Sequence, residues 1–329
     1  MLLVFLACAG PSDEETPVEK GAPDELALPD IQDVDFQSAF EEMFTVGMTV
    51  NLDNAWKGHK KTVELASEGC PDWYAGPPPQ AGDNVDEDAG GVAWQDRCKT
   101  VGDRRFSGWG WWDGTLERSG DETVGITSEA RRQLSGDGLV AYGDTVSFEF
   151  DGQANDSIYL LDAGEDTRWV YNSFVDATIT GSLPFEGSPT PGGWRTDLYF
   201  SAVGGKAPSI TARGNVYLFD VLVQDRFDSV VMDLELVSEE AAGPDDCTLE
   251  PLGTLSIRDT NAYWYDLVFL PRYADDTALD EEYSSCDGCG TFYVRGQEQE
   301  EEVCIDLSFA FDMLEAPDPN DFVLSVRIP

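Results

Sequence analysis

Several stretches of this chain alternate apolar and polar residues with a period of two. Val146, Phe148 and Phe150 alternate with Ser147, Glu149 and Asp151. Val230, Met232, Leu234 and Leu236 alternate with Val231, Asp233, Glu235 and Val237, and Ile305, Leu307, Phe309 and Phe311 alternate with Asp306, Ser308, Ala310 and Asp312. Successive side chains of a strand point to opposite faces, so this pattern predicts strands with one dry and one wet face. Further strand-like runs cover residues 168–180, 194–203, 215–223, 254–270 and 322–328, with Gly, Pro, Asn and Asp clusters between them. Two segments read as helices. Phe36, Phe40, Met43 and Phe44 recur at helical spacing behind Asp33 and Asp35 as candidate N-caps, and residues 128–134 form a short second candidate. Long helices do not alternate with strands, which argues against a doubly wound parallel sheet. The expectation is an all-β fold, an antiparallel β-sandwich or jelly-roll-like architecture with one or two short helices.

Charge narrows the partners. The chain has 329 residues, with 20 Lys plus Arg against 64 Asp plus Glu, a formal net charge of −44. A surface this acidic repels nucleic acid and anionic headgroups. Nucleic acid is therefore excluded as a partner, and a cation, a cationic protein or a neutral polysaccharide is favoured. Such charge keeps an exported protein soluble and suits saline or calcium-rich surroundings.

The N-terminus points to export. Residues 1–7 are apolar but too few to span a bilayer, which takes about 20 residues, and they read as a signal-like segment. Phe5, Leu6, Ala7 and Cys8 resemble the lipobox of bacterial lipoproteins, with Phe5 where that family usually has Leu and no Lys or Arg ahead of Cys8. The resemblance implies cleavage before Cys8, a diacylglyceryl group on its thiol and a membrane partner through that lipid anchor. Ala9 after the cysteine implies sorting to the outer membrane. Residues 8–35 read as the lipid-attachment cysteine and a disordered acidic tether, rich in Pro, Glu, Asp and Gly. Residues 36–329 are the β-rich folded region, with a candidate sub-domain break at 238–247. Together with Cys286, Asp287, Gly288, Cys289 and Gly290, these features resemble acidic envelope lipoproteins of Gram-negative bacteria.

The chain has seven cysteines. Beyond Cys8, the even remainder of Cys70, Cys98, Cys247, Cys286, Cys289 and Cys304 predicts disulfides in an exported protein. Proximity favours Cys70 with Cys98. A hairpin of 290–295 against 301–311 would bring Cys289 beside Cys304, leaving Cys247 for Cys286. The alternative is a tetrathiolate zinc site around Cys286 and Cys289, for which a second close cysteine pair is lacking.

Other constellations are weaker. His59 is the sole histidine, which excludes a multi-histidine metal centre. It lies in the basic segment 56–61, a solvated turn or a docking point for an acidic partner. Glu149, Asp151 and the residues after them begin like the E-x-D-x-x-E strand of laminarinase-like hydrolases. Ala154 stands where that family has its acid/base glutamate, so the resemblance predicts no such activity there. Asp83, Asp86 and Asp88, with Glu87, form the best candidate for calcium, and residues 275–281 hold a second acidic cluster. No other cofactor is expected. Trp109 and Trp111 stand two apart and share a strand face, either as core packing or as a platform for sugar rings. The expected function is a non-catalytic, envelope-anchored binding or structural lipoprotein. The alternative is a secreted carboxylate-dependent glycoside hydrolase or carbohydrate-binding module.

Overall fold

The structure, a computed structural model, describes residues 31, 33–50, 55, 57, 72–75, 91–95, 98–99, 105–117, 126–142, 147–162, 167–181, 192–205, 208–219, 221–237, 251–269, 288–314 and 316–318. For 72–75, 91–95, 98–99, 105–117, 126–129, 137–142, 147–148, 161–162, 167 and 192 it gives the backbone course alone. Helix α1 (Phe36–Thr49) is followed by strands β1 (Asp72–Ala75), β2 (Gly91–Gln95), β3 (Cys98–Lys99), β4 (Arg105–Glu117) and β5 (Ile126–Tyr142). Next come β6 (Ser147–Asp162), β7 (Thr167–Gly181), β8 (Gly192–Gly204), β9 (Ser209–Phe219) and β10 (Phe227–Val237). The remainder is β11 (Leu252–Asp259), β12 (Trp264–Val268), β13 (Cys289–Val294), β14 (Gln297–Glu298), β15 (Val303–Cys304) and helix α2 (Phe309–Asp312).

All described pairings are antiparallel, and β1, β2 and β4 to β14 follow one another in chain order, with β3 on β4 and β15 on β13. The fold is thus all-β and antiparallel with short helices, as the alternation predicts. Its sheet is a meander without a pairing between its two end strands among the described residues. Connections between neighbours range from short, as from Gly204 of β8 to Ser209 of β9, to long, as from Val268 of β12 to Cys289 of β13, and antiparallel pairing allows the short ones.

The two faces differ sharply. Phe150, Ala154 and Ile158 of β6, Tyr171, Val175 and Ile179 of β7, Trp194, Leu198 and Phe200 of β8, and Val230, Met232 and Leu234 of β10 are buried. The intervening residues, among them Asp151, Gln153, Asp176, Arg195, Asp197, Arg213 and Asp233, are exposed. Burial of apolar area at about 25 cal/mol per Å² drives this segregation. An outward face of carboxylates, guanidinium groups and amides is the opposite of the apolar band that a lipid-facing barrel wall presents.

Helix α1 covers part of the dry face, against β10, β11 and β15. Asp35 caps it by accepting from the Ser38 N–H at 3.1 Å and the Ser38 hydroxyl at 2.9 Å. These bonds, the backbone one foremost, hold the Asp35 carboxyl below its ordinary range. Phe36 packs on Tyr265 and Phe292 with ring centroids 5.0 and 4.7 Å away, and Phe40 meets Phe292 edge-on. Gly47 lies so close to the Met232 side chain that an added Cβ would collide with it.

Some expectations are corrected. Residues 128–134 are strand, inside β5: Ala130, Arg132 and Leu134 are buried, while Arg131 and Gln133 are exposed. Ladders from β4 and β6 on either side override the helix-favouring composition. The alternation at 305–312 does not continue as strand. Ile305 still bonds from its N–H to the Gly288 carbonyl at 2.9 Å, but the chain then turns into α2. Asp306 accepts from the Ser308 N–H at 2.9 Å, a local bond that competes with strand pairing. The run 254–270 is two strands, β11 and β12, separated by a turn. The expected hairpin does bring Cys289 beside Cys304, and the two are joined in a disulfide.

Phe40 is fully buried between α1 and the sheet. Phe40→Ala should lower unfolding free energy by about 3–5 kcal/mol, read from the denaturant midpoint. An unchanged midpoint would mean that α1 is not part of the core.

Candidate functional site

A strand interior rarely carries glycine unless another chain must approach closely. Gly152 in β6 has φ +135°, and a Cβ there would collide with the Asp176 carbonyl oxygen and with Ala177. It pairs with Gly136 of β5 on one side and Ala177 of β7 on the other. By the alternation these three residues belong to the dry face, so on the wet face backbone alone floors the gap between the flanking rows. Around it, on the wet face, opens a depression of about 570 Å³ lined by Ser135, Asp151, Gln153, Asp176, Thr178 and Arg195, with Gly152 and Ala177.

Register explains why these side chains meet. Ser135 lies opposite Gln153, and Gln153 opposite Asp176. Asp151 lies opposite Thr178, and Thr178 opposite Arg195. Two neighbouring transverse rows therefore flank the glycine floor, and directly opposed residues of an antiparallel pair share a face. The dish combines carboxylate acceptors, a guanidinium donor, and amide and hydroxyl groups that both donate and accept. The side chains of Asp151, Gln153, Asp176 and Arg195 make no hydrogen bond or ion pair with a described residue, so their bonding capacity faces solvent.

The sequence-predicted residues fall out as follows. Asp151 lines the dish, and Glu149, on the same face, accepts from the Thr180 hydroxyl at 3.2 Å. Ala154 is fully buried on the other face, so the third position of the hydrolase-like pattern is core. Backbone register sets Trp111 opposite Ser135, a wall of the dish, and Trp109 opposite Asp137. Cys289 is bonded to Cys304, which takes up a thiol that zinc ligation would need. Cys98 is placed by its backbone alone, in β3 beside β4. Cys8, Cys70, Cys247, Cys286, Asp83, Asp86, Asp88, His59 and the acidic cluster at 275–281 lie outside the described residues, as does the break at 238–247. Sequence reading missed Gln153, Asp176 and Arg195. The signal that could have found them is Gly152 inside an alternating strand.

Two further polar clusters are buried and serve the fold. On the dry face, Arg132 donates from Nε and Nη2 to Asp156 at 2.9 and 2.8 Å, and the Tyr171 hydroxyl donates to Asp156 at 2.8 Å. A buried charge needs such pairing to be tolerated. At the β11–β12 turn, the fully buried Asp259 accepts from the N–H groups of Asn261 and Tyr263, both at 2.9 Å, and from the Tyr265 hydroxyl at 3.0 Å. Arg226 donates to the Tyr265 oxygen at 2.8 Å.

Burial, with Asp259 adding its hydrogen bond and charge against the opposing Arg226, pushes the Tyr265 phenol from 10.0 up to about 12. The neutral phenol is thus favoured in the folded state, and the unfolded chain loses this proton first as pH rises. That contribution to stability is fully present below pH 10 and is lost as pH rises toward 12. Tyr265→Phe should therefore flatten the decline of the denaturant midpoint across this window relative to the parent. Parallel declines would show that the phenol is not held neutral.

No family model, curated protein sequence or solved structure matches this chain.

Proposed function

We propose that the chain is a non-catalytic binding module whose wet-face dish takes a neutral polyhydroxylated ligand, a sugar chain, and that the lipid on Cys8 holds it at the cell envelope. The observation that carries the binding reading is the glycine-floored depression lined by Asp151, Gln153, Asp176 and Arg195. Sugar hydroxyls both donate and accept, and this mixture of side chains answers both demands. A net charge of −44 disfavours polyanionic ligands and leaves a neutral one unopposed. The register of Trp111 beside Ser135 adds an aromatic residue next to the dish. The apolar residues 1–7, the small Ala7 and the acidic 9–35 support the envelope tether.

Two carboxylates in one depression also suit a glycoside hydrolase. Acid–base chemistry, however, calls for a water-excluding site and a carboxyl kept protonated by an apolar wall. Asp151 and Asp176 are both exposed in an open dish, which favours binding without cleavage.

Affinity electrophoresis in soluble neutral glucans and galactans tests this reading. The parent chain should be retarded by one of the polymers, with no release of reducing ends. Gln153→Ala and Asp176→Ala should each weaken retardation by about tenfold, the worth of one or two lost hydrogen bonds to a charged or amide group, without changing the melting temperature. Retardation that survives both substitutions would place the ligand elsewhere, and reducing-end release would make the chain a hydrolase.

A further inference from the structure

The dish is not isolated on its face. Its row of Asp151, Thr178 and Arg195 continues across the sheet, because Arg195 lies opposite Tyr217 of β9. Tyr217 and Arg258 of β11 both lie opposite Ser229 of β10, and Arg258 lies opposite Trp264 of β12. A single transverse row thus runs from β6 to β12 through residues 151, 178, 195, 217, 258 and 264.

The far half of this row is a fixed aromatic surface. Tyr217 is 38% exposed although its neighbours in β9, Val216 and Leu218, are buried. The Arg258 guanidinium stands 5.3 Å from the Tyr217 ring centroid and 5.7 Å from that of Trp264. Asp228 holds that guanidinium from Nε and Nη2 at 3.1 and 3.0 Å, and Phe219 meets Tyr217 edge-on at 5.2 Å. These contacts hold both rings with the guanidinium over one face of each, Tyr217 staying 38% exposed, and such immobilisation lowers the entropy lost when a ligand stacks on them.

We infer that this row is one extended subsite and that the ligand of the dish is a linear neutral polysaccharide lying across the strands. The inference rests on the binding reading above and adds length to it. Neighbouring strands are about 4.8 Å apart, so the six intervals from β6 to β12 span roughly 29 Å. One glycosyl unit advances by a similar distance, so the row matches a chain of about six units. Apolar sugar faces fit the rings of Tyr217 and Trp264, while the hydroxyls fit Asp151, Thr178 and Arg195. The row carries both acid, Asp151, and base, Arg195 and Arg258, so it presents no stripe of one charge to select a charged chain.

Calorimetric titration of the full chain with neutral gluco- and galacto-oligosaccharides tests this, comparing a disaccharide with a hexasaccharide of one series at low and high salt. The hexasaccharide should bind about tenfold or more tightly than the disaccharide, a gain on the scale of one or two stacked rings. Tyr217→Ala, and independently Trp264→Ala, should remove that gain and leave disaccharide affinity as in the parent. Salt should change neither affinity. A parent that gains nothing from length, or a gain that survives both substitutions, would overturn the extended subsite while leaving the dish intact. Strong weakening of hexasaccharide binding by salt would overturn stacking on the rings as the source of the gain. Absence of binding to every oligosaccharide would overturn the dish and the row together.

Discussion

The backbone ladder imposes the constraint on which everything else depends. Once neighbouring strands are hydrogen-bonded, each residue is committed to one face, and a slip of one position would turn the whole apolar set outward. From β6 to β10 this commitment is kept with few exceptions: Ile179, Trp194 and Leu218 occupy one transverse row on the dry face, while Asp176, Asp197, Asn215 and Val231 occupy another on the wet face. Where the pattern would otherwise break, glycine absorbs the change. Gly152, Gly214 and Gly253 all take positive φ beside the backbone of a neighbouring strand. Asp259 does comparable work at the β11–β12 turn, gathering backbone and side-chain donors that would otherwise be buried without partners.

This division into faces also divides the chemistry. The dry face holds the core and the Arg132–Asp156–Tyr171 cluster, both buried, and helix α1 covers part of it. The wet face is free to vary without cost to packing, and there the chain places its open polar depression and its exposed tyrosines, Tyr199 and Tyr217. The same polarity that rules these strands out as a lipid-facing wall equips them for hydroxyl-rich partners. The acidic surface then acts as a selector, repelling polyanions at a distance.

Much of this fold was legible because period two is a local signal. The residues of β10 alternate as written, the spacing of Phe36, Phe40 and Phe44 yields α1 with the anticipated Asp35 cap, and the hairpin expected near 296–300 explains the Cys289–Cys304 bond. The failures arise where non-local pairing decides. Residues 128–134 have helical composition but lie between two long partners, whereas residues 305–312 alternate correctly yet among the described residues have no partner strand beyond the Gly288 carbonyl. The dish was illegible for the same reason. Ser135, Gln153, Asp176 and Arg195 belong to four strands and meet only through register, and no spacing along the chain announces that meeting.

Carboxylate footprinting tests the central claim, that the wet face of β6 and β7 holds the ligand, most directly. The chain is labelled with a carbodiimide and an amine, with and without a soluble neutral glucan or galactan, and the modification of each Asp and Glu is read by mass spectrometry. The account predicts that ligand reduces labelling at Asp151 and Asp176 while the exposed Asp312 and Glu298, far along the chain and outside the row, label as before. Equal labelling at Asp151 and Asp176 with a ligand shown to be bound would contradict it.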